Sequence, residues 1–189
     1  SYGLQIDNAS SNTVTRSHME GNTYGAYLSL LGGYNAIQLS TMIGVTQYGL
    51  QITGSTGNTV TQSYMWGALK GAWIATISNY NTIDLSTMVG RDYYGLQITA
   101  SSGNVATRSY MQGAQYALYF TANADSNTVT RSRMAGDLIG VAVNPTCNYN
   151  SISLSTMVSS ASDYPGLWVD GSSGTYVMSS YIQGSTAAY

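Results

Sequence analysis

The stretch SNTVTRSHM at residues 11–19 decides the fold, because the chain restates it. It returns as GNTVTQSYM at 57–65 and as SNTVTRSRM at 126–134, and a more divergent copy, YNAIQLSTM, occupies 34–42. The Asn of the motif recurs every 23 residues, at Asn12, Asn35, Asn58, Asn81, Asn104, Asn127 and Asn150. An eighth copy has Thr175 in place of the Asn. Self-similarity at a fixed period is the signature of a repeat protein.

Other residue types recur at fixed distances from the Asn. Ser follows it by five positions in all eight copies. Met follows it by seven positions in seven copies, from Met19 to Met157, and Ile182 replaces it in the eighth. A unit of about 23 residues with alternating apolar residues, separated by Asn, Ser and Gly, is the size of one coil of a β-solenoid. The sequence therefore predicts an all-β fold, a single-stranded parallel β-helix of about eight coils.

Alternation within each copy assigns side chains to the core or to the surface. Val14 is predicted to point inward, between outward-pointing Thr13 and Thr15. The Met column lies on an inward phase, where flexible thioethers fill core space. Thioethers are also soft ligands for Cu(I), but one His and one Cys leave little else to complete a metal cluster. No metal site and no cofactor are expected.

An Asn, usually an Ile or Val two residues later, a Ser five residues later and a Met or Ile seven residues later recur coil after coil. In this pattern the chain resembles the right-handed parallel β-helix repeat superfamily, with its pectate-lyase-like and periplasmic copper-binding-type repeats. The resemblance covers nearly the whole chain and implies a right-handed solenoid in an extracellular or cell-surface location. That superfamily includes lyases, hydrolases, tailspikes, adhesins and noncatalytic scaffolds, so the resemblance does not single out an activity.

The composition predicts a neutral, polar surface. Only 7% of residues are charged, against roughly 25% in ordinary globular domains, and the net charge is -2. Nucleic acid is not expected as a partner, because long-range attraction to it is weak. Membrane insertion is not expected either, because no apolar run approaches the roughly 20 residues that cross a bilayer.

The acidic residues do not predict an active site. A β-helix enzyme would need acids gathered on one external face across adjacent coils, whereas the eight acids here are scattered in phase. Asp92, beside Arg91 near a coil corner, belongs to the best acidic grouping, and a charged turn explains that pair. A noncatalytic chain is predicted, with a polysaccharide lyase or hydrolase as the alternative.

One outward column suggests a ligand. On the strand that reads YGLQI in three coils, aromatic residues alternate with amides over six coils. Aromatic faces two coils apart, roughly 9.6 Å, could stack on the rings of an extended β-linked glycan while Gln hydrogen-bonds to hydroxyls. The alternative is that the aromatics stabilise the sheet or contact a surface protein. The candidate ladder is Gln5, Tyr27, Gln51, Trp73, Gln97, Tyr119 and Trp168, with Ala142 between the last two.

Two further surface patterns carry weaker hypotheses. Arg108 and Arg131 share a phase on adjacent coils, and Arg133 lies two residues beyond, so the three could hold a sulfate or carboxylate. Alternatively, their stems pack at a corner while the guanidinium groups reach water. Thr-x-Thr ranks in three coils, at 13–15, 59–61 and 128–130, suggest an ice-binding face, although the intervening coils break these ranks.

The function predicted from these patterns is a noncatalytic extracellular or cell-surface rod, adhesin or fibre module. A glycan-binding β-helix is the alternative, and ice binding a lesser one. Residues 1–189 are expected to form one solenoid domain, either an excerpt of a longer repeat protein or a unit of an end-to-end assembly. The chain begins and ends in nearly the same phase of the repeat. Self-association through open ends is therefore expected, with Ala187, Ala188 and Tyr189 near the junction.

Overall fold

The computed structural model describes residues 1–185, which form 24 short strands and no helix. Each coil contributes three successive strands. In coils 1 to 4 these are β1 (Tyr2–Asp7), β2 (Thr13–Thr15), β3 (His18–Gly21), β4 (Tyr24–Ser29), β5 (Ala36–Gln38), β6 (Thr41–Gly44), β7 (Tyr48–Thr53), β8 (Thr59–Thr61), β9 (Tyr64–Gly67), β10 (Lys70–Ala75), β11 (Thr82–Asp84) and β12 (Thr87–Gly90). In coils 5 to 8 they are β13 (Tyr94–Thr99), β14 (Val105–Thr107), β15 (Tyr110–Gly113), β16 (Tyr116–Thr121), β17 (Thr128–Thr130), β18 (Arg133–Gly136), β19 (Ile139–Val143), β20 (Ser151–Ser153), β21 (Thr156–Ser159), β22 (Leu167–Val169), β23 (Tyr176–Met178) and β24 (Tyr181–Gln183).

The strands stack into three eight-stranded parallel sheets that run the length of the solenoid. Sheet A takes the first strand of every coil, sheet B the second and sheet C the third. Every strand pairs with its counterpart one coil away, so equivalent residues form straight columns. The predicted eight-coil parallel β-helix is confirmed.

The core lies between the three sheets and is built from the predicted inward columns. In coil 3, Leu50 and Ile52 from sheet A, Val60 from sheet B and Met65 from sheet C are fully buried. The Met column packs into this core, and only its eighth member, Ile182, is exposed, at 39%. The lone Cys147 is a buried free thiol, and burial raises its pKa. The core therefore accounts for the apolar periodicity of the sequence.

The recurring Asn forms a buried ladder at the corner before sheet B. The Asn58 side-chain oxygen accepts the backbone N–H of Asn35 at 3.0 Å and also its side-chain amide at 3.0 Å. The same pair of bonds joins Asn58 to Asn81 at 2.9 Å each. From Asn35 to Asn150 the ladder residues are almost completely inaccessible to solvent. Each Asn therefore binds the next coil at a corner where the strand ladder is interrupted.

The recurring Ser forms a second ladder at the corner between sheets B and C. The hydroxyl of Ser63 accepts the N–H of Ser40 at 3.2 Å and donates to the carbonyl of Thr61 at 2.8 Å. The residue before each ladder Ser has a positive φ close to 50° in all eight coils. Gly and Asn adopt such angles most readily, but this column contains Leu39, Leu85 and others such as Arg and Gln. The hydrogen bonds of the Ser ladder offset the backbone strain of a non-glycine residue in the left-handed conformation.

Glycines bring the backbones of sheets C and A together where each coil closes. A Cβ on Gly49 would lie 2.6 Å from the carbonyl oxygen of Gly71 and 2.6 Å from the nitrogen of Trp66. A Cβ on Gly67 would clash with the carbonyl oxygen of Lys70. A side chain at these positions would push the sheets apart. The start of each sheet A strand is therefore fixed rigidly against sheet C.

No helix in the part of the chain that the structure describes could span a bilayer. The segment Ala187, Ala188 and Tyr189, predicted to lie near a self-association junction, falls outside the described residues.

Replacing Val60 with Asp should destabilise the fold by about 4 kcal/mol or more, because it buries a carboxylate among aliphatic side chains. The matched control is Thr59→Asp, whose column neighbours Ala36 and Thr82 carry no charge. Its cost should be below about 1 kcal/mol, since the side chain points outward. Urea unfolding followed by circular dichroism measures both. Equal losses in the two variants would contradict the assignment of inward and outward faces.

Replacing Asn81 with Ala should cost about 1 to 3 kcal/mol, because the buried backbone N–H of Asn58 loses its acceptor and the Asn58 side-chain amide keeps only its bond to Ser55. Asn22→Ala is the control, since this Asn is exposed and makes no ladder contact. The same denaturation experiment applies. A loss no larger than that of the control would show that the ladder does not hold the coils together.

Candidate ligand-binding face on sheet A

The predicted aromatic and amide residues do line up on the outside of sheet A. The strand register places Gln51 opposite Trp73, Trp73 opposite Gln97, and Gln97 opposite Tyr119. The same column begins with Gln5 and Tyr27 and ends with Ala142 and Trp168. The alignment of the ladder is confirmed, although its surface differs from the prediction in two respects.

A second aromatic column, absent from the predicted site, lies beside the ladder. It is formed by the residues that open each sheet A strand. Its rings pack on the ladder rings, with Tyr24 stacked on Tyr27 at 5.3 Å and Tyr94 tilted against Tyr119 at 5.0 Å between centroids. The signal was visible in the sequence as a Tyr at the start of most coils. We define the aromatic face as Tyr2, Tyr24, Tyr27, Tyr48, Trp73, Tyr94, Tyr116 and Tyr119.

The central amides do not lie open on the surface as predicted. Gln51 and Gln97 are each only 8% exposed, because larger aromatic neighbours on the adjacent coils enclose them. The side-chain carbonyl oxygen of each is buried without a hydrogen-bond partner. A buried acceptor without a donor costs about 1–3 kcal/mol. These two amides flank Trp73 from the coils on either side, and protein atoms enclose both carbonyl oxygens.

Lys70 interrupts the column of strand-opening tyrosines and forms the centre of a pocket. Its ammonium nitrogen lies 3.8 Å from the ring centroid of Trp73, 4.8 Å from that of Tyr48 and 5.9 Å from that of Tyr94. Cation–π attraction stabilises the charge in this aromatic cage. No ion pair within residues 1–185 involves Lys70. Burial lowers the pKa of Lys70 from 10.5 to about 8.

A cavity of about 390 Å³ opens beside this amine and is large enough for a small ligand. We call it the Lys70 pocket. It contains aromatic walls, one cation and one amide, and its lining has no carboxylate. The lining residues are Tyr48, Leu69, Lys70, Tyr93, Tyr94 and Gln97.

Hydrogen bonds to neighbouring coils hold two ladder aromatics in place. The indole N–H of Trp73 donates to the hydroxyl of Thr99 at 3.1 Å, and the amide of Asn144 donates to the hydroxyl of Tyr119 at 2.6 Å. Beyond Tyr119 the ladder is interrupted, because Ala142 is small and fully buried. Trp168 is 39% exposed and separate from the aromatic face.

The three predicted anion-binding arginines are not equally available. Arg108 and Arg131 occupy the same left-handed corner on adjacent coils, as the repeat indicated. Arg108 is engaged by Asp84, whose two carboxylate oxygens accept bonds from its guanidinium group. Arg131 and Arg133 are exposed. A three-arginine anion site would require the Asp84 pair to break, and the anion site remains a prediction.

Acidic and metal-ligating groups are sparse. Asp92 forms an exposed ion pair with Arg91, and His18 lies 3.3 Å from Glu20 on the surface. Within residues 1–185, no three His, Cys, Asp or Glu side chains are grouped closely enough to hold a metal ion.

The outer face of sheet B carries the Thr residues that suggested ice binding. Thr15 and Thr61 are separated by Gln38, and Thr61 and Thr107 by Asp84. The charged Asp84 and its Arg108 partner lie on this face. The ranks are therefore interrupted in the middle of the sheet, and ice binding remains an untested alternative.

The pH dependence of stability tests the environment of Lys70. A lysine with a folded-state pKa of about 8 and an unfolded value of 10.5 binds fewer protons when folded, so its burial penalty disappears as pH rises through this window. The wild-type melting temperature should therefore rise, relative to that of Lys70→Met, between pH 8 and pH 10.5. Scanning calorimetry of both proteins measures the difference. A constant difference, or one that falls with pH, would contradict a desolvated amine.

Comparison with known proteins agrees with the architecture. The chain matches the family described as "Periplasmic copper-binding protein (NosD)" over residues 1–146, a segment that includes the whole aromatic face and the Lys70 pocket. No curated protein sequence matches the chain. The matched segment covers most of the 189 residues, and the structure is the parallel β-helix that the repeat pattern indicated. The chain belongs to the NosD periplasmic copper-binding family.

Proposed function

We propose that this chain is a noncatalytic solenoid of the periplasm or cell surface that binds an extended glycan along sheet A. One observation carries the proposal: Tyr and Trp side chains form an aromatic face along sheet A, and a pocket beside Lys70 opens within it. Sugar rings stack on aromatic faces, and sugar hydroxyls can hydrogen-bond to the tyrosine hydroxyls that line the pocket. The family description supports a location outside the cytoplasm.

The geometry of sheet A suits a long ligand. Tyr27, Trp73 and Tyr119 lie on alternate coils of one column, so they are spaced by roughly 9.6 Å along the solenoid axis. This spacing is comparable to the disaccharide repeat of an extended β-linked glycan. A rigid backbone keeps the rings aligned, which lowers the entropy cost of binding. The binding direction is therefore parallel to the axis.

A purely structural rod, or one that contacts a surface protein, is the second candidate. The tyrosines also pack on one another, and such pairs stabilise a sheet without any ligand. What favours binding is the lysine at the centre of the face. Self-packing of the rings does not explain why a cation with no carboxylate beside it stands in a column of tyrosines.

Copper binding, named in the family description, is not carried over to this chain. The seven methionines of the column are sealed in the core, Cys147 is buried, and His18 is a lone surface imidazole beside Glu20. Copper prefers imidazole and sulfur ligands gathered at one open site, and the residues described here do not offer that set. The donor residues therefore do not fit a copper centre.

A glycan microarray tests the proposal. We expect wild-type protein to bind at least one class of β-linked glycan, and Trp73→Ala and Tyr119→Ala to weaken that binding at least about tenfold through loss of stacking. Trp66→Ala is the matched control, because Trp66 lies on sheet C. It should leave binding unchanged. Thermal melts show whether each variant is folded. Binding that survives both sheet A substitutions, or no binding to any glycan, would refute the proposal.

A further inference from the structure

We propose that the Lys70 pocket selects a sugar residue that carries an acidic group, so that the bound glycan is anionic. This inference rests on the proposed function and names the ligand class of the same face. It follows from the charge, the hydrogen-bonding capacity and the size of the pocket.

The charge of the pocket is uncompensated. Lys70 is the sole lysine of the sequence and stands where the neighbouring coils have Tyr48 and Tyr94. Its ammonium group faces aromatic rings, and no carboxylate lines the cavity. A partly desolvated cation gains most from an anionic partner that enters the same low-dielectric space. A carboxylate or sulfate on the ligand would supply the missing counter-charge.

The polar lining favours a ligand with hydroxyl groups as well. Gln97 lines the pocket together with three tyrosines, whose hydroxyl groups are both donors and acceptors. A simple inorganic anion would supply the counter-charge but would leave the aromatic walls without a stacking partner. A sugar acid presents an anionic group and several hydroxyl donors on one ring. Its apolar ring face can also stack on the neighbouring aromatic side chains.

The size of the pocket matches one sugar residue of a longer chain. A volume of about 390 Å³ lies at the lower end of the range for small-molecule sites. The aromatic face continues on both sides, with Tyr24 and Tyr27 in one direction and Tyr116 and Tyr119 in the other. The pocket would therefore bind the charged group of one sugar residue, and the rest of the aromatic face would bind the neighbouring sugar residues.

Isothermal titration calorimetry with two matched ligands tests this selection. The probes are β-1,4-linked glucuronic acid oligosaccharides and cello-oligosaccharides of equal length, which differ in the group at C6. We expect the wild-type chain to bind the acidic series at least about tenfold more tightly, and Lys70→Gln to abolish this preference while still binding cello-oligosaccharides. Arg133→Gln removes an exposed cation on sheet C and should keep the preference. A sulfated cello-oligosaccharide shows which acid is preferred.

Each outcome separates the inference from the proposed function. Equal binding of all series by wild type would refute acid selection and leave glycan binding intact. Binding of none of the series would refute acid selection at this pocket, and the microarray would then decide separately whether glycan binding stands. An acid preference that persists in a folded Lys70→Gln variant would place the selecting charge elsewhere and overturn the role of this pocket.

The pH dependence provides a second readout. With a free-site pKa of about 8, the protonated fraction of Lys70 falls about tenfold between pH 7 and pH 9, and affinity for the acidic series should fall with it. The other titratable groups facing the amine are Tyr48, Tyr93 and Tyr94; burial raises the pKa of Tyr48, and that of Tyr94 to about 12. The Arg91–Asp92 pair precedes them and is already neutralised. A fall in affinity that is equally large in Lys70→Gln would overturn the role of this amine.

Discussion

The Asn ladder is the interaction on which the rest of the structure depends. Each ladder Asn accepts two hydrogen bonds from the Asn one coil earlier, inside a corner that excludes solvent. Because an unsatisfied buried amide is costly, a coil shifted by one residue would lose these bonds and turn its apolar residues outward. The ladder therefore fixes a 23-residue register, and the sheets, the core and the surface columns follow from it.

Between the regularly spaced Asn residues, successive coils differ in loop length. The connection from sheet A to sheet B is one residue longer in coil 2 than in coil 1, and it is likewise one residue longer in coil 4 than in coil 3. The turn from sheet C into sheet A varies in a compensating way, so the Asn spacing is preserved. On the outward column of sheet A, coils with Gln also alternate with coils that carry Tyr or Trp. This alternation places Trp73 between two amides, on the same strand as Lys70.

The sequence was sufficient for the fold because every structural column is written as a strict repeat. Val60 and Met65 could each be assigned to a buried position from their spacing alone. The site was less predictable, because period-2 alternation says which way Gln97 points but not how far its larger neighbours extend over it. Sequence reasoning did not include Lys70 in the candidate site, because this residue stands at a repeat position that is Tyr in most coils.

The Arg108–Asp84 pair was also missed. Its partners lie on adjacent coils but on different columns, and a comparison made column by column does not bring them together. Spacing thus predicts what stacks along the axis, whereas contacts between neighbouring columns depend on side-chain length and direction.

The location of binding tests the account most directly, and the indole resonances of the three tryptophans can report it. The Trp73 ring packs against the ammonium group of Lys70 on sheet A, whereas Trp66 lies on sheet C. In two-dimensional ¹H–¹⁵N NMR spectra, titration with the glucuronic acid oligosaccharides should shift the Trp73 indole signal and leave that of Trp66 unchanged. A shift confined to Trp66, or no shift of Trp73 at saturating ligand, would contradict binding on sheet A.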